Sequence, residues 1–435
     1  MSDNTVLNKA LELGGDVVRD IDKGGFKTQV VTLDMGGAGA EQLLTGKLPV
    51  ISYPANSFGD ITADAWGVPK VSLPKSLFHS LFTFDIPAKL WFTYEDGVQV
   101  YASTHIASTN GAAVLTTSAA KTDLVLESRL CPRYQPNRGH LPSTALWCPD
   151  KTADGVREWG VCTNENGVLF RLKDGLLYAV LKSGGVETLE QFIDTSTVTG
   201  FDVEKGNVYD IQYQWRGVGN YFFFVNLVRV HVFANLGTLT ALSMENPALP
   251  AYYRATRGTQ DVAMHIGCVD IASENGDDDT EQPVNAFADA VATTGTDKPV
   301  LVVYNPLQIG GKTNTRTVIL DEVSVTNTKK ATFKLWRTRD LASITGATLV
   351  AIGSGSVMQT DSPDTSVGAV RATAFISTGA ERLATLQVEA AAPRSKQISK
   401  RPHIAVSLVR GDYLVVTATA SVGVSDVVLS WGEEI

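Results

Sequence analysis

From about Ser72 onward, apolar and polar positions alternate in short runs, and turn-forming pairs separate the runs. In AKLWFTYEDGVQVYAS the break is Asp96-Gly97, and in STNGAAVLTT it is Asn110-Gly111. Both pairs supply the two left-handed residues that a two-residue hairpin needs. The clearest unit is ENGVLFRLKDGLLYAVLKSGG. With Asp174-Gly175 as its turn, Phe170 is predicted opposite Ala179 and Leu172 opposite Leu177 on a dry face, with Arg171 opposite Tyr178 on a wetter one. A second hairpin is predicted in NVYDIQYQWRGVGNYFFFVNLVRVHVF, where Tyr209, Ile211, Tyr213 and Trp215 alternate, GVGN turns the chain and an aromatic strand returns. Turn signals recurring about every eight to twelve residues through Cys268 predict an antiparallel sandwich of two sheets.

The flanking regions read differently. Near the start, Val6, Leu7, Ala10 and Leu11 have helical spacing until Gly14-Gly15 interrupts it, so a short helix is predicted there. The Gly/Ala-rich MGGAGAEQLLTG after it reads as a connector or arm. SENGDDDTEQP ends the β pattern, and six or more strand-like runs follow from Pro299 to Ile435, as in ATFKLWRTRD and DYLVVTATA. They predict a second sandwich or jelly roll. The division expected is an N-terminal attachment region over 1–60, a central sandwich over 61–290 and a C-terminal β domain over 291–435.

Composition supports a mainly β chain: of 435 residues only 19% are charged, and the net charge of −9 is spread along the sequence. That distribution argues against a nucleic-acid-binding surface. Cys131, Cys148, Cys162 and Cys268 lack metal-ligand spacing and read as reduced, mostly buried thiols. Neither a secretory signal pattern nor an apolar run long enough to cross a membrane is found, so no membrane association is expected.

Several stretches invite a chemical reading. GGKT, Gly310 to Thr313, lacks the earlier glycine of a phosphate loop, whose place Pro306 takes, and a strand-like run follows it. ENGDDDTE lacks the spacing of a calcium loop. The six histidines are scattered, with His231 and His265 inside apolar strand patterns. Glu158, Glu165 and Asp210 are carboxylates near strands or turns, without a feature that marks a catalytic pair. PRSKQISKRP reads as a basic connection between strands. RYQPNRGH crowds Arg133, Tyr134, Arg138 and His140 into a turn at the entry to the central sandwich, where the arginines are expected to pin neighbouring strands.

Three blocks, ESRLCPRYQPNRGHLPSTALWCP, GVREWGVCTNENGVLFRLKDGLLYAVLKSGG and GNVYDIQYQWRGVGNYFFFVN, together resemble a region of tailed-bacteriophage virion structural proteins. FKLWRTRD, GSGSVMQTDSP and SWGEEI look like the tail of the same proteins, so the resemblance spans about Ser57 to Ile435. It implies a concanavalin-A- or laminin-G-like sandwich in a tail, neck, fibre or head-decoration protein located in the virion. It also implies an Asn-Gly turn after the aromatic strand; here Leu227 follows Asn226, so that turn is expected to differ. Further expectations are a homo-oligomer, trimeric by analogy with fibres, with other virion proteins as partners and neither cofactor nor metal. The chain is expected not to be an enzyme, since a hydrolase reading rests on fold analogy alone. The alternative is a module binding host glycans, in which Tyr178, Trp215 and Tyr221 act as stacking platforms; core packing competes with that role for Trp215.

Overall fold

The computed structural model describes the strands Asn4–Val6, Val17–Lys23 and Phe26–Val31. From 74 to 434 it describes all residues except 136–137, 216–218, 235–241, 275–283, 328–330, 353–355, 357, 362–367 and 389–405. Two compact units result, Met1–Phe58 and Gly59–Ile435.

In the first unit the three strands form one antiparallel sheet, with Val6 across from Val17 and Ile21 across from Thr28. Val6 therefore ends a strand rather than starting the predicted helix; Leu7, Ala10 and Leu11 lie outside the described residues, as does MGGAGAEQLLTG.

The second unit is mainly β, in antiparallel sheets, and its first half is a sandwich of two eight-stranded sheets. One sheet runs from Val228–Phe233 through Tyr221–Val225, Asn207–Tyr213, His140–Trp147 and Ala263–Ser273 to Ala112–Thr116 and Ile106–Thr109, with Lys75–Leu81 also beside Ala263–Ser273. The other runs from Val186–Phe192 through Leu176–Ser183, Gly167–Lys173, Val156–Cys162 and Ala251–Thr256 to Asp123–Ser128, Trp91–Glu95 and Val98–Val100. Alternation sends every second side chain inward, so Trp159 and Phe170 from one sheet meet Tyr209 and Phe223 from the other. Their rings pack edge to face, Trp159 on Tyr209 at 4.9 Å and Phe170 on Phe223 at 5.1 Å between centroids.

The turn chemistry sets the registers. Asp96-Gly97, Asn110-Gly111 and Asp174-Gly175 are left-handed pairs, with φ of 52° and 74° at the last. Phe170 pairs with Ala179, Arg171 with Tyr178 and Leu172 with Leu177, as the pattern predicts. The aromatic return strand Tyr221–Val225 turns at Asn226-Leu227 into Val228–Phe233. That turn does not differ in backbone from an Asn-Gly turn, since Asn226 has φ 49° and Leu227 φ 67°. Leucine is held there against its steric preference. Asn226 anchors the turn: its Oδ1 accepts from Val208 N at 2.9 Å and its Nδ2 donates to Asn207 Oδ1 at 2.8 Å.

The C-terminal half is organised by two long strands, Val284–Tyr304 of 21 residues and Tyr413–Glu434 of 22, paired antiparallel. Along its other edge Tyr413–Glu434 takes Ala331–Thr338 and then Thr317–Asn327. Leu301, Phe333, Leu414, Leu429 and Trp431 form part of a separate core. GGKT is a hairpin tip here: Gln308–Ile309 pairs with Lys312–Thr313 across Gly310 and Gly311, whose φ values are 58° and 81°.

Candidate functional site

The crowded turn 133–140 feeds an aromatic core. Tyr134 and His140 are buried, their ring centroids 5.2 Å apart, and Tyr213 lies against both. His140 Nδ1 is 3.4 Å from Tyr213 Oη, and Tyr213 Oη donates to Pro247 O at 3.0 Å. Burial pulls the His140 imidazole down to about 4, so it is neutral at pH 7. Arg133 and Arg138 stay half-buried, and Gly139 N donates to Glu274 Oε2 at 3.2 Å.

Of the three candidate stacking residues, Tyr221 is fully buried, stacked on Tyr213 at 5.8 Å with its hydroxyl 3.0 Å from Ser243 Oγ. It has no ring face for a surface ligand, which corrects that expectation. The signal was in the register: Tyr221 pairs with Tyr213, and cross-strand partners share a face. Trp215 packs on Tyr134 and donates through Nε1 to Met244 O at 2.8 Å. Tyr178 is half-buried on the outer face of the second sheet, edge-on to Phe192.

That outer face carries a lattice of charges. Arg171 donates from Nε to Glu158 at 2.8 Å and from Nη1 to Glu187 at 2.9 Å and Glu190 at 2.8 Å. Beside it Arg254 grips both oxygens of Asp123, at 2.7 and 3.1 Å. The Arg171 hydrogen bond, the largest influence, holds the Glu187 carboxyl below its ordinary range. Glu158 and Asp210 extend from opposite outer faces of the sandwich, since their neighbours Trp159 and Tyr209 point inward; Glu165 sits in the turn that closes Glu158's own hairpin. The three are thus not a facing pair.

The junction between the sandwich and the C-terminal half brings together what sequence distance hides. Val409 to Asp412 form a tight turn closed by Asp412 N to Val409 O at 3.0 Å, with Gly411 at φ 82°. A Cβ on Gly411 would approach Leu307 to 3.0 Å and Phe92 to 3.3 Å. Buried Asn305 pins the turn, donating from Nδ2 to Leu408 O at 3.0 Å and receiving Gly411 N on its carbonyl at 2.7 Å. The turn presses Arg410 onto the outer face of the second sheet, where Nη2 meets Glu127 and donates to Ser128 O at 2.9 Å. Arg129 and Arg410 flank the buried Phe92 ring at 4.0 and 5.3 Å. Further bonds cross at separate points: Lys312 to Glu245 at 2.7 Å, Asn246 to Thr315 at 2.9 Å and Lys89 to Glu381 at 3.3 Å.

Two cavities of about 340 and 230 Å³ open beside this contact and share Gln99, Tyr101 and Arg129 in their walls. Phe84, 94% exposed, stands at the larger one, and Arg339, Asp340 and the stacked Tyr304 and Tyr413 rings at the smaller. Sequence reasoning missed this site altogether.

No family model and no curated protein matches the chain. Solved structures similar to it are concanavalin-A-like β-sandwiches. An endo-1,3-beta-glucanase from Streptomyces sioyaensis is 11% identical, over 47% of this chain and 97% of that one, with a TM-score of 0.36. An endo-beta-1,3-glucanase from Pyrococcus furiosus is 12% identical, over 47% and 98%, with a TM-score of 0.34. The metal-free carbohydrate recognition domain of Emp46p is 10% identical, over 44% and 96%, with a TM-score of 0.29. Nothing in these likenesses points to a virion component. The expectation that the chain is not an enzyme is corrected by the glucanases among these neighbours and is withdrawn. At such identities and scores the likeness concerns the sandwich fold, and no activity passes from those proteins to this chain.

Proposed function

We propose that the chain is a structural component of a tailed-bacteriophage virion, a tail, neck or fibre part that works through protein surfaces and self-assembly. The observation that carries the reading is the arginine-pinned junction: two β bodies in series are held by a preorganised turn, a buried ion pair and bonds at separate points. A part copied many times in a particle must transmit position without flexing, and such a joint does so. The resemblance of the blocks around Arg133–His140 and Val156–Gly185 supports the same reading. Quantitative mass spectrometry of particles purified from the source phage tests it. A fixed copy number is expected, with a trimer by light scattering; absence from purified particles overturns the reading.

A further inference from the structure

The cavities beside the junction have a composition that the interlock does not require. Arg129 is 3% exposed, and its Nε donates to Ala88 O at 2.8 Å and Trp91 O at 3.2 Å. No carboxylate among the described residues forms an ion pair with it. Arg339 lines the same 230 Å³ cavity and is paired at 2.8 Å with the buried Asp412. Burial, and after it the positive field of Arg339, pulls the Arg129 guanidinium down to about 10. The negative field of Asp412, beyond ion-pair distance, offsets part of this, and a ligand anion reduces the remaining cost of the buried cation.

Around the two guanidiniums stand flat apolar rings. Tyr101 is 62% exposed, with its hydroxyl donating to Arg339 O at 3.3 Å, and Tyr304 and Tyr413 stack at 4.2 Å. Such faces match the C–H face of a pyranose, and the Gln99 amide and the Asp340 carboxylate offer partners for hydroxyls. We propose that this pair of cavities binds a saccharide bearing a carboxylate, with the acid group held by Arg129 and Arg339 and the sugar ring against Tyr101. A planar carboxylate carrying a single charge suits guanidinium forks, whereas Asp340 and Asp412 repel the doubly charged, tetrahedral phosphate group. The inference does not depend on the virion reading.

Isothermal titration of the full-length protein with digalacturonate, the neutral galactobiose and sodium phosphate tests the proposal. Digalacturonate is expected to bind at least tenfold more tightly than galactobiose and to resist competition by phosphate. Tyr101→Ala, at an exposed position, and Arg339→Gln are each expected to weaken it tenfold or more. If Arg339→Gln fails to fold, Tyr101→Ala decides. Absence of binding, equal affinity for the neutral disaccharide, displacement by phosphate, or an affinity unchanged in Tyr101→Ala would each overturn it.

Discussion

Arg171 and Arg410 each hold one buried glutamate, Glu158 and Glu127, whose side chains are 8% and 14% exposed, but their remaining partners differ. Two of Arg171's partners, Glu187 and Glu190, have side chains 46% and 36% exposed, so water and salt share the interaction. Arg410 and Glu127 are 5% and 14% exposed, and backbone carbonyls take up further donor capacity. The first lattice ties neighbouring strands that the sheet already holds. The second ties residues 283 positions apart, in halves with separate cores. Charge pairing of the same chemistry thus reinforces in one place and joins in the other.

Removing Arg410 is the sharpest way to break this contrast. Arg410→Ala leaves Glu127 without its buried partner and is expected to cost about 3–5 kcal/mol in denaturant unfolding. A second effect tests the sealed aromatic core near the sandwich entrance. His140 titrates near 4 when folded against an ordinary 6.5, so the unfolded chain takes up its proton first as pH falls. The stability this gives is fully present above pH 6.5 and lost as pH falls toward 4, about 3 kcal/mol for a shift of this size. His140→Gln is expected to flatten that part of the stability–pH curve relative to the wild type.

At the exposed lattice the expected effect is smaller. Arg171→Met is expected to cost roughly 1–2 kcal/mol; the share from exposed Glu187 and Glu190 should vanish in 1 M salt, whereas the share from buried Glu158, which keeps Arg254 at 3.9 Å, and the Arg410→Ala loss should not. A cost equal to that of Arg410→Ala would erase the distinction between the two sites. The smallest change runs the other way. Leu227→Gly relieves a left-handed leucine that is 48% exposed, and a gain of roughly 0.5–1 kcal/mol is expected in thermal melts.

Local features were legible because their causes are local. Asp174-Gly175 and the alternation around it determine the pairing of Phe170 with Ala179 before any tertiary contact is known. The Asn226-Leu227 turn was misjudged because residue preference was read as a requirement, while Asn226's bonds to Val208 and Asn207 hold the backbone regardless. Tyr221 was misplaced for want of its register with Tyr213. The junction left no trace in periodicity: Arg410 in an ordinary turn and Glu127 in an ordinary strand acquire meaning only when two cores meet, and the smaller cavity between Tyr101 and Arg339 exists only then.

Native-state hydrogen exchange in rising denaturant tests most directly whether the joint makes one body of the two halves. In the wild type, the strands Asp123–Ser128 and Tyr413–Glu434 are expected to lose protection together, and in Arg410→Ala separately, with the C-terminal strand first. Separate loss already in the wild type, or joint loss retained in Arg410→Ala, would contradict the role given to the buried arginine.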